Sequence, residues 1–157
     1  MTADDIRGKI KVRADGLSET EDFDMIKVFY GKKGTGKTKH MLENANGIVV
    51  NAKGNVVYID DSNEQMMKLA REIRFVNVKD YPVQGADSFL GFICGVASQN
   101  YDIETIFIDG LNYIVGDTDL KAFFDGLKVI NKDNCLDFFI SINGDENNIP
   151  EYIAEFV

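Results

Sequence analysis

Cationic excess is absent from this 157-residue chain, in which 17 lysines and arginines face 26 aspartates and glutamates, for a formal net charge of −9. A nucleic-acid backbone requires clustered cations, so no DNA or RNA partner is expected. Apolar runs long enough to cross a bilayer are also absent, as is a basic-then-apolar leader. The expected location is therefore cytoplasmic, with no membrane partner. Cysteine is scarce: Cys94 and Cys135 stand apart, without a CxxC pair or a Cys/His cluster. That excludes a thiolate metal site and leaves two reduced thiols, expected in the core. His40 is the single histidine and has no evident partner, which favours a solvent-facing side chain. After Met25 the only arginines are Arg71 and Arg74.

What is present suffices for one packed domain, since 45% of the residues are hydrophobic and spread along the chain. Residues 1–24 are acidic and poorly patterned, with one alternating run, Lys9-Ile10-Lys11-Val12. They read as an N-terminal arm or extension, and Met25 as a candidate start codon; the patterned domain is 25–157. Met25–Tyr30 is an apolar run ending at glycine, as a buried parallel strand would be. A helix is expected from Thr38 to about Asn44, ending near Asn46-Gly47. Asn55–Asp60 reads as a strand, with Ile48–Val50 as a candidate pairing partner. Ser62 and Gln65 form a capping-box pattern ahead of Met66, Leu69, Ala70 and Ile73 at helical spacing, so a second helix is expected there. A short strand at Phe75–Val78 precedes a largely apolar helix over Phe89–Ala97. Thr105–Asp109 is a strand, Asp119–Ile130 a helix, Asp137–Asn143 the last strand, and Pro150 opens a final helix. This alternation predicts an α/β fold of three layers around a mainly parallel sheet of about five strands.

Gly31-Lys32-Lys33-Gly34-Thr35-Gly36-Lys37-Thr38 satisfies the phosphate-loop pattern GxxxxGK[ST] in full. Gly31, Gly34 and Gly36 allow a tight turn whose N–H groups converge on an anion, with Thr35 between them. The helix that follows adds the positive end of its dipole. Lys37 is expected to bridge the β- and γ-phosphates of ATP, and Thr38 to ligate Mg²⁺. Further along, Thr105-Ile106-Phe107-Ile108-Asp109 is a buried-strand pattern that delivers a carboxylate at its carboxyl end. There Asp109 would hold the same metal ion, although an Asp-Gly pair also suits a simple turn.

The loop at 31–38, the strand ending at Asp109 and the strand between them resemble the P-loop NTPase superfamily. The resemblance is to its RecA- and AAA-type branch over roughly residues 25–145, and the chain as a whole resembles a group of small bacterial ATP-binding proteins. It implies an extra strand between the two motif strands, and a catalytic acid either directly after Asp109 or at the end of the neighbouring strand. Gly110 occupies the first position, so the acid falls within Asp60–Glu64, with Glu64 the first candidate and Asp61 the second. Glu64 also fits a structural role, because acids are favoured in the first turn of a helix. Asn143 resembles the polar residue of that branch that reads the γ-phosphate, and equally suits a turn before Gly144.

A GTPase would carry NKxD; Asn131-Lys132-Asp133-Asn134 has asparagine where the last aspartate is required. A small-molecule kinase would need lid arginines, and Arg71 and Arg74 lie on no glycine-rich lid. Lys32 resembles the extra lysine of the deviant loops of partition and septum-placement ATPases, but those need glycine where Lys33 stands. Two readings remain: a slow or partner-activated ATPase, or a nucleotide-dependent switch that orders Asp60–Glu64 for a partner. The lack of a nearby arginine finger makes a second copy or another protein the expected source of stimulation.

Overall fold

The computed structural model describes residues 11–12, 18–19 and 25–157. Two short antiparallel strands, β1 (Lys11–Val12) and β2 (Ser18–Glu19), form a separate ribbon within 1–24; the rest of the arm lies outside the described residues. The domain is built on β3 (Ile26–Gly31), β4 (Asn55–Asp60), β5 (Arg74–Asn77), β6 (Ile103–Ile108) and β7 (Asp137–Asn143). These make one five-stranded sheet in the order β3-β7-β6-β4-β5, with every pairing parallel. β7 therefore lies between the strand that enters the glycine loop and the strand that ends before Asp109.

Period-two alternation sorts the side chains of these strands into two cores. On one face Val57, Ile59, Ile106, Ile108, Phe138 and Ile140 meet α2 (Gly85–Gln99), α3 (Leu111–Val115), α4 (Lys121–Asn134) and α5 (Glu151–Ala154). On the other, Val56, Tyr58, Phe107 and Phe139 pack beneath Met41, Leu42 and Ala45 of α1 (Lys37–Asn51). The sheet is thus covered on both sides, the three-layer α/β/α arrangement expected. Tyr58, Phe107 and Phe139 lie in register on adjacent strands and stack at 5.7 and 4.8 Å between ring centroids.

Several local expectations are corrected. α1 runs through Gly47 to Asn51, so Ile48–Val50 is helical and not a strand. Residues 61–73 form no α-helix but turns and a single 3-10 turn at Met66–Lys68. Met66 and Met67 are exposed, at 44% and 87%, and Glu64 lies in a turn and not in a helical first turn. The Ser62 hydroxyl accepts from the Glu64 N–H at 3.4 Å, closing a local turn in place of a helix cap. α3 directly follows Asp109-Gly110 and has no counterpart in the sequence reading. Cys94 is exposed and Cys135 half-buried, so neither thiol is a core residue; both are free. Asn131 is buried at the end of α4, where its amide donates to the Leu136 carbonyl at 2.6 Å, a purely structural role for that NKDN run.

Phe89 of α2 is fully buried and stacks on Phe123 of α4 at 5.8 Å. Phe89→Ala is expected to lower the unfolding free energy by about 3–5 kcal/mol without altering the denaturant slope, as measured by urea titration.

Candidate functional site

A cavity of about 520 Å³ opens at the carboxyl ends of β4, β6 and β7, bordered by the 33–39 loop and the 60–65 segment. The loop follows β3 directly, and two of its glycines hold left-handed backbone: Gly34 at φ 87° and Gly36 at φ 86°. A side chain at either position would strain the turn. Gly36 is also the N-cap of α1 and offers no side-chain acceptor, so the first N–H groups of a 15-residue helix face the cavity uncapped. Lys37 folds back into the loop, its ammonium donating to the Lys32 carbonyl at 2.6 Å and reaching Thr35 Oγ1 at 3.4 Å. Burial pulls its pKa below the ordinary lysine value, while the nearby Asp109 and Glu146 charges pull it back up.

Across the cavity, strand alternation raises a second row directly above the stacked rings. The next inward positions on β4 and β7 are Asp60 and Ser141, and Asp109 follows β6 at the same level. All three are buried, at 6%, 2% and 5% exposure. Asp109 Oδ1 accepts from Ser141 Oγ at 2.6 Å and Thr38 Oγ1 at 3.3 Å, and its Oδ2 accepts from the Tyr58 hydroxyl at 2.7 Å. Ser141 Oγ in turn accepts the Gly110 N–H at 2.7 Å. Asp60 Oδ1 accepts from the Asp61 N–H at 2.7 Å.

The residues singled out in the sequence thus fall into two groups. Lys37, Thr38, Gly34, Gly36, Asp109, Asp61, Glu64 and Asn143 all line this one cavity. Gly31 and Thr35 are not among the residues that line it; a side chain on Gly31 would meet Glu146 Oε1 at 2.8 Å and Thr35 Oγ1 at 3.2 Å. Glu64 is exposed, and Asp61 half-buried. The Asn143 amide donates to the Tyr113 hydroxyl at 2.6 Å, and its backbone N–H to Asn112 Oδ1 at 3.0 Å. His40 is exposed and stacks on Phe29 at 6.3 Å, away from these groups. Tyr30 is a half-buried strand residue that packs against Gly144.

Sequence reasoning included Asp60 in the Asp60–Glu64 window without singling it out, and passed over Tyr58 and Ser141. The signal available was parity: Tyr58 and Asp60 share a face of β4, and Ser141 lies two residues before Asn143. Gln65 Oε1 is the one buried side-chain acceptor without a hydrogen-bond partner among the described residues. Its segment borders the cavity. Among the described residues no group of three or more His, Cys, Asp or Glu is placed to hold a metal ion unaided, and no helix is long and apolar enough to cross a membrane. A scan of family models finds none that matches this chain, and a search of curated proteins finds no match.

Burial, and next the Asp109 charge, push the Asp60 carboxyl up to about 8. Folding therefore takes up a proton between the unfolded value of 3.8 and about 8. Stability from this group is complete below that window and lost across it as pH rises, at no more than about 1.4 kcal/mol per pH unit. Asp60→Asn is expected to flatten the dependence and to raise stability at pH 8, as checked by urea titrations from pH 4 to 9.

Proposed function

We propose that the chain binds ATP together with Mg²⁺ in this cavity and hydrolyses the β–γ bond slowly, or when a partner stimulates it. The observation that carries this reading is the meeting of Thr38 Oγ1 with Asp109 Oδ1 at 3.3 Å, at the mouth of an uncapped helix. A hydroxyl at the start of α1 and a carboxylate after a central strand converge beside a loop of inward N–H groups. That arrangement suits a triphosphate whose negative charge requires both the helix terminus and a cation. The donors are hard oxygens in an open cavity, as Mg²⁺ prefers when it keeps several waters and phosphate ligands. Thr38 and Asp109 would hold the ion, which would supply charge stabilisation for the bond to be broken. The sheet order, with β7 between β3 and β6, agrees with the RecA- and AAA-type resemblance.

The chain's own groups divide the remaining work. Backbone N–H groups from Gly34 to Thr38 hold the phosphates, and the Lys37 ammonium leaves the Lys32 carbonyl to bridge the β- and γ-oxygens. Asp60, Asp61 and Glu64 are the carboxylates available to take a proton from the attacking water. We favour Asp60, which is held at the end of the strand beside Asp109 and would act in its ionised form once a cation offsets the Asp109 charge, whereas Glu64 is exposed on a turn. Asn143 and its partner Tyr113 border the far side of the cavity, where the terminal phosphate would be sensed.

A second reading, the nucleotide-dependent switch, is favoured by one specific feature. The 61–65 segment borders the cavity, carries the unsatisfied Gln65 oxygen and leads straight into exposed Met66 and Met67. An unsatisfied buried acceptor costs about 1–3 kcal/mol, so a rearrangement that finds it a donor is favoured. In that case the γ-phosphate would reorganise the segment and alter the methionine surface for a partner.

Calorimetric titration with ATP, with and without Mg²⁺, tests the first reading directly. Lys37→Ala is expected to remove measurable uptake. Asp60→Asn is expected to preserve uptake and to slow phosphate release about 100-fold, with Glu64→Gln close to wild type. A Glu64→Gln loss with an active Asp60→Asn would return the acid role to Glu64. Uptake without phosphate release by the wild-type chain would favour the switch.

A further inference from the structure

We propose that Tyr58 and Ser141 form a two-donor clamp that fixes the rotation of the Asp109 carboxylate and thereby sets how readily the site takes up a divalent cation with its triphosphate. The inference rests on the Mg²⁺–ATP reading above and assigns a role to two residues that do not belong to the loop pattern. Each donor grips a different oxygen: Tyr58 holds Oδ2 at 2.7 Å and Ser141 holds Oδ1 at 2.6 Å.

The direction of both bonds is determined by the surroundings. Ser141 Oγ receives the Gly110 N–H at 2.7 Å, so its own proton is directed to Asp109. The Gly110 N–H in turn belongs to the residue after the carboxylate, so the clamp also ties down the backbone that carries it. Tyr58 is fully buried, wedged between Phe107 at 5.7 Å and Phe75 at 6.3 Å, and its ring cannot swing away without opening the core. Its hydroxyl lies 2.7 Å from a carboxylate oxygen, which can only accept, so the phenol is the donor.

Thr38 then makes the longest of the three contacts to this carboxylate, at 3.3 Å, from the loop side of the cavity. Thr38 Oγ1 and Asp109 Oδ1 are the oxygens that would hold a cation arriving with phosphate, in place of that bond. The two shorter bonds would persist behind it. Tyr58 and Ser141 are thus positioning residues that act through Asp109; such outer partners of a ligand change metal affinity about 10- to 100-fold when removed.

The test compares the wild-type chain with Tyr58→Phe and Ser141→Ala, using ATP as ligand and Mg²⁺ as the titrated variable. Calorimetry would give the Mg²⁺ concentration at half-maximal ATP uptake, and a parallel titration in EDTA the metal-free affinity. Each variant is expected to need about tenfold more Mg²⁺ while its metal-free affinity and cooperative thermal unfolding are retained. An unchanged or lower Mg²⁺ requirement in a folded variant would overturn the clamp. So would an equal loss of affinity with and without Mg²⁺, which is what mere damage to the core produces. Should Tyr58→Phe fail to fold, Ser141→Ala decides by the same criterion. Wild-type uptake independent of Mg²⁺ would overturn the clamp and leave the phosphate loop standing. No uptake of nucleotide by the wild-type chain would instead sink the nucleotide reading, and the clamp with it.

Discussion

Three hydroxyls from three different elements converge on the carboxylate of Asp109: Thr38 from the start of α1, Tyr58 from β4 and Ser141 from β7. This convergence ties the glycine loop to the centre of the sheet. A buried carboxylate is expensive unless its oxygens are hydrogen-bonded, and here both are, at the level where the strands end. The row of Tyr58, Phe107 and Phe139 beneath it supplies the rigid floor. Because stacked rings on adjacent strands hold their backbones in register, the oxygen-bearing row above inherits that register.

The charge arrangement follows from the same geometry. The chain carries a net charge of −9, yet Lys32, Lys33, Lys37 and Lys39 cluster around one turn. Three of them, Lys33, Lys37 and Lys39, line the same cavity as Asp60 and Asp109, which are buried at adjacent strand ends. A triphosphate attracted by the lysines and the helix N-terminus would be repelled by these acids unless a cation lay between them. In the proposed function the divalent ion resolves that conflict, and the buried pair is the reason it would be needed. Burial first, and then the same repulsion from Asp109, raise the proton affinity of Asp60.

The stretch after Asp60 shows where pattern reasoning fails, and why. Ser62 and Gln65 satisfy the spacing of a capping box, and Leu69, Ala70 and Ile73 fall at helical intervals. Yet residues 61–73 return from the carboxyl end of β4 to the amino end of its parallel neighbour β5 in turns with a single 3-10 turn. Ile73 is buried because it leads into β5, and Leu69 and Ala70 reach the α1-side core without a helix. The Ala70 N–H finds its acceptor on Asn46 of α1, at 2.8 Å, in place of a carbonyl in its own segment. Tertiary hydrogen bonds outweighed modest local propensity.

The sequence by itself determined the alternation of strands and helices, the glycine loop between β3 and α1, and the delivery of Asp109 at a strand end. Those features are local: apolar runs, glycine positions and a motif eight residues long specify them through backbone sterics and burial. Tertiary structure alone decided which strands are neighbours, and hence that Asp60, Asp109 and Ser141 share one row. The partners of Asp109 come from residues 38, 58 and 141, and nothing in their separation along the chain marks them as companions. Strand parity indicates which face a side chain takes, but only strand order determines what it meets there.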